Sequence, residues 1–355
     1  MLDMEGIRRW FLDSPIYDKN EGAYRAYYTK DGVGPIYPEI TAYALSLSCI
    51  LYKQTHKQIF LSRAEECAKY LMRTSDNGGV ASYVDGSTYA FDTGIFISAL
   101  FDLFEVSRKP IYLAEAQKSM SCLLLYWNGE ELSATNASPA NEKWYNRPSA
   151  HLAKMAIPLM KGSYYLKDIS YEKIASAMLD KYRRFQSQEG RFRIEECSEK
   201  TMTHPHCYAT EGFLYAYWYS GKQEYLEIVK KSIDWLSKIQ NTDGSFYEWY
   251  PVSEKASKLR LLTRKSVGLQ GSEITDATAQ ATRLWKLLGE NKDGIDRAYR
   301  FLNGKLRGNG LVLHDRKSLL GNPFTQPKVY SWPTFFYLHS LGLPFGETEY
   351  INELF

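Results

Sequence analysis

Two kinds of helical segment alternate along the chain, and they differ in how far apolar side chains extend around the helix. Segments such as RAEECAKYLMRT (63–74) and YLEIVKKSIDWLSKIQ (225–240) carry apolar residues at i, i+3, i+4 and i+7, the spacing of an amphipathic surface helix. Segments such as DTGIFISALFDLFE (92–105) are apolar on most sides, which is typical of a helix buried among other helices. The pattern therefore predicts pairs of one outer and one inner helix.

Turns that contain glycine recur through the sequence, and the inner helical segments follow them. Their spacing is roughly 50 to 65 residues, which is close to the range of repeat proteins. The turns are NEGAYRAYY (20–28), DNGGVASYVDG (76–86), WNGEEL (127–132), QEGRFRI (188–194), NTDGSFYEWY (241–250) and RGNGLVLHD (307–315). The chain thus divides into about twelve helices in about six pairs, and the first helix is expected to end near Asp13.

Helical pairs with a polar outer and a buried inner helix predict a closed ring, an all-α (α/α)6 toroid that takes residues 1–355 as one domain. The alternative is an open helical solenoid that binds other proteins. An open array needs polar capping repeats at its ends, whereas the last pair here is as aromatic as the others. The long aromatic-rich turns also favour the closed form.

Charge and hydropathy exclude several functional classes. The net charge of +3 is small for 355 residues, and no Lys/Arg block could follow a phosphate backbone, so nucleic acid is not an expected partner. No apolar run reaches the roughly 18 residues of a membrane-spanning helix, and the first residues lack the apolar stretch of a signal peptide. We therefore expect a cytoplasmic protein that does not bind membranes.

Cysteine and aromatic content add two further expectations. The five cysteines are odd in number and form no C-x-x-C pair, which favours reduced thiols over disulfides or a zinc site. The 28 tyrosines, 16 phenylalanines and 8 tryptophans are more than a core normally needs. Some of these rings are therefore expected to line a binding site.

The architecture resembles the six-hairpin glycosidase superfamily, which includes sugar epimerases, polysaccharide lyases and unsaturated glucuronyl hydrolases. More narrowly, five segments resemble glycosidase-like proteins associated with microbial surface polysaccharides. They are YPEITAYAL (37–45), FDTGIFISALFDL (91–103), HPHCYATEGFLY (204–215), TDATAQATRLW (275–285) and YSWPTFFYL (330–338). The resemblance implies that the amino ends of the inner helices, with the loops before them, face the end of a funnel where a saccharide binds.

Residues at these helix starts are the candidates for chemistry. Hydrolysis of a glycosidic bond needs a protonated acid for the leaving oxygen and an ionised carboxylate as nucleophile or base. The candidate catalytic residues are Glu39, Asp92, Glu211, Asp276, His204 and His206. The candidate substrate-binding residues are Tyr37, Trp144, Arg147, His151, Lys154, Tyr208, Trp249, Gln280, Arg283 and Trp332.

The carboxyl groups also have structural interpretations. Glu39 and Asp92 lie in first turns, where acids often cap a helix or stabilise its dipole without any other function. Glu211 lies one turn inside its helix on an aromatic face, where an uncompensated carboxylate is costly. That cost favours a functional role for Glu211.

Other candidates share helix faces. Asp276, Gln280 and Arg283 stand at i, i+4 and i+7, which indicates either a sugar-binding row or an internal salt-bridged ladder. His151 and Lys154 stand at i and i+3 on another inner helix. A lone histidine on an apolar helix is, in the alternative interpretation, a core residue with its hydrogen bonds satisfied.

The stretch THPHCYATEG (203–212) resembles a metal-binding pair at first sight. His204 and His206 are in H-x-H spacing and Cys207 could add a third ligand. We expect Pro205 to hold the segment extended, so that both histidines point one way and Cys207 points elsewhere. Since no further ligand motif completes the set, no metal and no cofactor is expected, and a role in proton transfer or hydroxyl binding is favoured.

Aromatic and basic residues extend the predicted rim. Trp144, Tyr145, Trp249 and Tyr250 could stack on sugar rings or simply pack their loops. Basic side chains near the positive helix ends would suit an acidic saccharide such as a uronate, although exposed basic residues are commonly plain surface. They are Arg25, Arg147, Arg191, Arg193 and Lys328.

The leading hypothesis is a carbohydrate-active enzyme that hydrolyses an oligo- or polysaccharide with a carboxylate pair. A uronyl epimerase or lyase, with a histidine or tyrosine as base, is the alternative enzyme. A terpenoid cyclase or prenyltransferase lacks its D-x-D-D run or zinc set in this sequence. A ring that binds glycans without catalysis is the remaining possibility.

Overall fold

The structure is a computed structural model that describes residues 4–83, 85–135, 144–251, 273–313 and 327–355. Twelve α-helices lie in this described part. They are α1 (Met4–Asp13), α2 (Pro38–Thr55), α3 (Gln58–Thr74), α4 (Ala90–Ser107), α5 (Pro110–Leu124), α6 (Ala156–Leu166), α7 (Ile169–Tyr182), α8 (Thr203–Ser220), α9 (Gln223–Ile239), α10 (Thr275–Leu288), α11 (Lys292–Gly304) and α12 (Ser331–Gly342). Short 3-10 segments are Trp144–Asn146, Ala150–Met155, Arg183–Phe185 and Thr348–Glu353.

The helices form two concentric rings, as the alternating hydrophobic pattern predicts. The inner ring is α2, α4, α6, α8, α10 and α12, each packed against the next, and α12 packs against α2. Five outer helices each pair with the inner helix before them, and α1, at the other end of the sequence, packs against α12. The fold is therefore the closed (α/α)6 toroid, and the open solenoid is excluded.

Burial explains why each helical segment lies in the inner or in the outer ring. Inner helix α4 is buried at every position from Ala90 to Leu103, since helices surround it on all sides. Outer helix α11 buries only a stripe of five residues, which includes Ile295, Ala298 and Phe301. The stripe follows the period of 3.6 residues per turn, so one face packs on the inner ring and the other meets solvent.

The glycine turns act as a structural repeat. The glycine of each turn has a positive φ, the left-handed conformation in which only glycine is unstrained; these are Gly22, Gly78, Gly129, Gly190, Gly244 and Gly308. Two of them also approach the next outer helix closely. A Cβ atom on Gly190 would lie 2.0 Å from the carbonyl oxygen of Lys231, and one on Gly244 would lie 2.2 Å from that of Arg297.

Ten short strands lie in the turns of the described ranges, and one sheet among them closes the ring a second time. They are β1 (Tyr17–Asp18), β2 (Ala23–Tyr24), β3 (Tyr27–Tyr28), β4 (Lys200–Met202), β5 (Phe246–Tyr247), β6 (Trp249–Pro251), β7 (Glu273–Ile274), β8 (Leu306–Arg307), β9 (Gly310–Val312) and β10 (Val329–Tyr330). Strands β3, β10, β9 and β8 form one antiparallel sheet in that order, with Tyr27 opposite Tyr330. This sheet joins the turn before the first inner helix to the turn before the last.

The two ends of the ring differ. At the end we call the cavity end, the inner helices begin; at the far end they finish and connect to the outer helices. The segment Thr348–Phe355 lies inside the ring, where the Phe355 ring contacts Tyr43, Phe336 and His339. None of the helices in the described ranges is long and apolar enough to cross a membrane.

Candidate active site

A cavity of about 250 Å³ opens at the cavity end of the ring. Its wall combines carboxyl, imidazole and aromatic side chains. The lining residues are Tyr37, Glu39, Ile40, Tyr43, Ser82, Tyr83, Tyr89, Phe91, Asp92, Tyr145, His151, His204, Tyr208, Asp276 and Trp332. Most come from the first two turns of inner helices or from the segments just before them, so the ring gathers residues that are far apart in sequence.

Glu39 and Asp92 form an electrostatically coupled pair on neighbouring helices. Glu39 lies in the first turn of α2 and Asp92 in the first turn of α4, and their exposed fractions are 8% and 7%. Burial raises the pKa of Glu39 to about 6, against the lowering effect of hydrogen bonds with Tyr37 and Tyr43 and the charge of Lys154. Burial, and next the charge of Glu39, raises the pKa of Asp92 well above its ordinary value. One side of the cavity can therefore hold a carboxylic acid at neutral pH.

Asp276 has a different environment across the ring. Its carboxylate accepts a hydrogen bond from the indole N–H of Trp332 at 3.1 Å and another from the main-chain N–H of Ala277 at 2.6 Å. His204 Nδ1 lies 3.6 Å from Asp276 Oδ2 and 2.6 Å from the side-chain oxygen of Gln280. Donors of this kind stabilise the charged form of a carboxylate, which is the form that glycoside hydrolysis needs in its nucleophile or base.

Two histidines face the cavity in their neutral form. Burial lowers the pKa of His151 to about 3, with a smaller contribution from His204, and burial also lowers the pKa of His204. Nδ1 of His151 lies 2.6 Å from Oγ of Ser149. Neutral imidazoles can accept a proton or bind a hydroxyl group.

Tyr43 and Tyr208 form a floor that separates the cavity from a buried ionic cluster. Their hydroxyl groups are 2.9 Å apart. Below them Glu211 is fully buried and binds Lys154 at 2.8 Å and also Arg283. The predicted site residues Glu211, Lys154 and Arg283 are thus brought together with one another, but they do not line the cavity.

The structure corrects the expected conformation of THPHCYATEG. The segment is not extended, because α8 begins at Thr203 and Pro205 occupies its first turn, where its missing N–H is not needed. On a helix His204 and His206 cannot point the same way. His204 faces the cavity, whereas His206 points away from it, accepts a hydrogen bond from the main-chain N–H of Phe192 and packs on Trp235.

Several other predicted residues lie outside the cavity wall. Gln280 is fully buried and reaches the cavity only through His204. Arg147 pairs with Glu195 at 3.5 Å. Trp249 lies in β6 beneath the Lys200 ammonium. Trp144 begins a 3-10 segment, but its side chain is outside the described part of the chain.

The basic residues predicted for the rim contact the protein locally. Arg25 pairs with Asp18, Arg191 binds Glu189 and the Pro251 carbonyl, Arg193 reaches the Phe185 carbonyl, and Lys328 lies over the Tyr27 ring. The described wall of the cavity contains no lysine or arginine. In the described part of the chain these basic side chains therefore lie outside the cavity wall.

Sequence reasoning missed much of the tyrosine lining. Tyr43 lies one turn after Glu39 on α2, and this i, i+4 spacing is the signal that could have identified it. Tyr83 and Ser82 come from a glycine turn and also line a second cavity of about 220 Å³. Tyr83 packs on Tyr37 with ring centroids 4.3 Å apart, so an aromatic pair stands between the two cavities.

No group of three His, Cys, Asp or Glu side chains in the described part has the arrangement of a metal site. The cysteines at 49, 67, 122, 197 and 207 are all free thiols.

Comparison with known proteins identifies the fold. A sugar epimerase from a ruminal bacterium superposes with a TM-score of 0.74 at 10% identity, covering 96% of this chain and 98% of that one. Cellobiose 2-epimerase from Bacillus thermoamylovorans B4167 gives 0.71 at 12% identity, with 96% and 98% covered. An unsaturated glucuronyl hydrolase specific for heparin gives 0.68 at 10% identity, with 95% and 93% covered.

No protein-family model matches the sequence. No curated protein matches it either. The chain therefore has the six-hairpin (α/α)6 toroid fold of these enzymes, and its function has to be argued from its own residues.

Proposed function

We propose that this protein is a carbohydrate-active enzyme that hydrolyses a glycosidic bond of an oligo- or polysaccharide. The observation that carries the proposal is the presence of carboxyl groups in two environments within one aromatic cavity. Glu39 and Asp92 are buried and coupled, whereas Asp276 is supplied with hydrogen-bond donors. A pair of carboxyl groups in unlike environments is what glycoside hydrolysis requires.

The environments suggest the roles. Asp92, whose pKa is raised well above its ordinary value, is the general acid that donates its proton to the leaving glycosidic oxygen. Asp276 takes a proton from the water that attacks the anomeric carbon. The glycosidic C–O bond breaks and a new C–O bond forms to the water oxygen. Asp92 has then lost its proton to the leaving oxygen, and Asp276 has gained a proton from the water. Exchange with solvent then restores both groups.

The aromatic wall and the second cavity support a saccharide substrate. Tyrosine and tryptophan combine a broad apolar face with a polar edge, which suits the two kinds of surface on a sugar ring. The second cavity lies beyond Tyr83 and gives space for a further sugar unit. The toroid fold shared with a glucuronyl hydrolase and two epimerases agrees with this class of substrate.

An epimerase is the second candidate, and the neutral histidines favour it. His151 and His204 both line the cavity, and each could remove a proton from a sugar carbon. In that reaction the glycosidic bond stays intact. The two candidates therefore differ in their products.

The test is product analysis on a panel of neutral and uronate-containing oligosaccharides. Hydrolysis releases new reducing ends, lyase action creates ultraviolet absorbance, and epimerisation changes a sugar without shortening the chain. We expect new reducing ends. Measurable glycan affinity without any turnover would instead indicate a binding protein and contradict the proposal.

Two substitutions test the assigned roles. Asp92→Asn and Asp276→Asn should each lower kcat/KM at least about a hundredfold, the usual contribution of a positioned acid or base, without lowering the melting temperature. The control is Asp180→Asn at an exposed surface position, which should leave both quantities unchanged. Normal turnover in both cavity variants would refute the assignment.

We also propose that the enzyme works in the cytoplasm. The free thiols support this location, because reduced cysteines are typical of that compartment.

A further inference from the structure

Lys154 occupies an unusual place for a residue expected to bind sugar. It lies in the 3-10 segment Ala150–Met155, three residues after His151, which does line the cavity. Its exposed fraction is 1%, so its ammonium group is removed from solvent. A lysine buried to this extent needs partners, because an uncompensated charge in the interior is very costly.

The partners of Lys154 hold its charge in a buried ionic cluster. Nζ donates to Glu211 Oε2 at 2.8 Å and to the main-chain oxygen of Phe355. Arg283 binds the other oxygen of Glu211. Two cations therefore share the Glu211 carboxylate, and an oxygen of Phe355 also holds Lys154. His339, beside Arg283, adds no charge at neutral pH, because burial holds its pKa well below the ordinary value.

The Lys154 ammonium group lies directly behind the cavity floor. Nζ of Lys154 is 4.4 Å from the ring centroid of Tyr208 and 5.3 Å from that of Tyr43, distances at which a cation is attracted to an aromatic face. The two hydroxyl groups bind each other at 2.9 Å. Tyr43 stands one turn after Glu39 on α2 in the same cavity wall, and its hydroxyl group lowers the pKa of that carboxyl group. A continuous path of contacts runs from the ammonium group to this carboxyl group.

We propose that Lys154 is a positioning residue, a buried cation that holds the floor tyrosines and acts through them on Glu39, without touching the sugar. This inference rests on the proposed function in so far as Glu39 takes part in the reaction. It replaces the expected role of Lys154 as a substrate ligand.

The effect of Lys154 opposes that of burial. Burial makes Glu39 hold its proton to a higher pH, and the positive charge of Lys154 works in the other direction. Lys154 itself has its pKa lowered to about 8 by burial, against the raising effect of Glu211, so it remains charged at neutral pH. Glu39 is thereby brought to a pKa of about 6, at which it exchanges protons near neutral pH.

The main test removes the charge and keeps most of the volume. In Lys154→Met, the midpoint of the Glu39 titration should rise by about one pH unit, the lower range for loss of a nearby opposite charge. The titration is followed by NMR on protein that carries ¹³C at the glutamate carboxyl groups. The resonance of Glu39 is identified by its absence in Glu39→Gln.

The matched control is a second buried lysine. Lys161 is 4% exposed and binds Asp102 at 2.5 Å towards the far end of the ring, so Lys161→Met should leave the Glu39 midpoint in place. Lys154→Arg keeps the positive charge and should also leave the Glu39 midpoint unchanged. An unchanged midpoint in Lys154→Met, or an equal shift in Lys161→Met, would overturn the proposal.

A substitution at Tyr43, which lies between Lys154 and Glu39, gives a second and milder variant. Tyr43→Phe keeps the ring beneath the cavity but removes the hydroxyl group that reaches Glu39, and should also raise the midpoint. If Lys154→Met does not fold, the midpoint of the Glu39 titration is measured in Lys154→Gln and Tyr43→Phe instead. An unchanged midpoint in either variant would refute the path from Lys154 to Glu39.

A kinetic measurement separates this inference from the proposed function. If Lys154 bound the sugar directly, its loss would raise KM and leave the pH profile unchanged. We expect the pH profile of kcat/KM to move with the NMR midpoint. Absence of any turnover in the wild-type protein would remove the proposed function, but the NMR titration would still confirm or refute the action of Lys154 on Glu39.

Discussion

The two ends of the toroid treat charged side chains in opposite ways, although the same helices supply them. At the cavity end, α2 and α4 present Glu39 and Asp92 to a shared space, where both carboxyl groups have raised pKa values. Towards the far end, α4 presents Asp102, which accepts hydrogen bonds from Lys161 at 2.5 Å and from Ser46 at 2.8 Å.

The comparison distinguishes a carboxyl group that is proposed to take part in the reaction from a carboxyl group that stabilises the fold. Asp92 and Asp102 are ten residues apart on one helix, about 15 Å along its axis. A buried carboxylate beside a lysine has its charge compensated, whereas a carboxyl group beside another carboxyl group tends to keep its proton. The same residue type therefore becomes a structural anchor at one end and, in the proposed mechanism, a proton donor at the other.

The largest effect on stability is expected from breaking the far-end pair. Asp102→Asn leaves the Lys161 ammonium group buried without a counter-charge and should lower the free energy of unfolding by about 3 kcal/mol. Chemical denaturation measures the loss. The fraction that remains folded should keep its turnover, in contrast to Asp92→Asn; a stable Asp102→Asn protein without activity would reverse the comparison.

A smaller effect should appear as a change in the pH dependence of stability. The folded-state pKa of Glu39, about 6, is above the ordinary value of 4.5, so protonation favours the folded state. The stabilisation, about 2 kcal/mol by linkage, is fully present below pH 4.5 and is lost as the pH rises through 6.

Glu39→Gln removes this contribution. Relative to the wild type, the unfolding free energy of the variant should fall less steeply between pH 4.5 and 6, and denaturant titrations across that range measure the difference. The buried histidines contribute a trend of the opposite sign in both proteins, which cancels in the comparison. Parallel curves would mean that Glu39 is not a buried acid.

The smallest effect should come from the aromatic pair between the cavities. Tyr83→Ala removes a partly exposed ring and should weaken binding of longer oligosaccharides by about 1 kcal/mol, or about fivefold in KM. Disaccharides that fill only the first cavity should be affected less, since Tyr83 is one of many residues in that wall. Tyr164→Ala, at an exposed tyrosine on the last turn of α6, is the control. An equal loss for short and long substrates would contradict a second sugar subsite.

The fold could be predicted from the sequence because its determinants are local and repeated. The apolar stripe of α11 and the continuous burial of α4 follow from periodicity alone, and the first helix ends at Asp13 as expected. From their positions near the starts of inner helices, Glu39, Asp92, His204 and Asp276 were also predicted to lie around one cavity. Whether they are catalytic stays a prediction.

The deeper parts of the site could not be predicted, because the direction in which a buried side chain points depends on how the helices pack. Glu211 lies two turns into α8, and at that depth the inner faces meet each other instead of the cavity. Lys154 and Arg283 approach it from other helices, and nothing in the spacing of one segment gives that convergence. His206 was misplaced because Pro205 was expected to keep the segment extended, whereas it starts the helix.

The pairing of α1 with α12 has a consequence for biosynthesis. Ile7, Trp10 and Phe11 are buried, yet α12, the inner helix on which α1 packs, is made some three hundred residues later. During translation these side chains stay exposed to water, or bound to a chaperone, until α12 has been synthesised. Because contacts so distant along the chain form slowly, the contact between α1 and α12 should be the last in the ring to form.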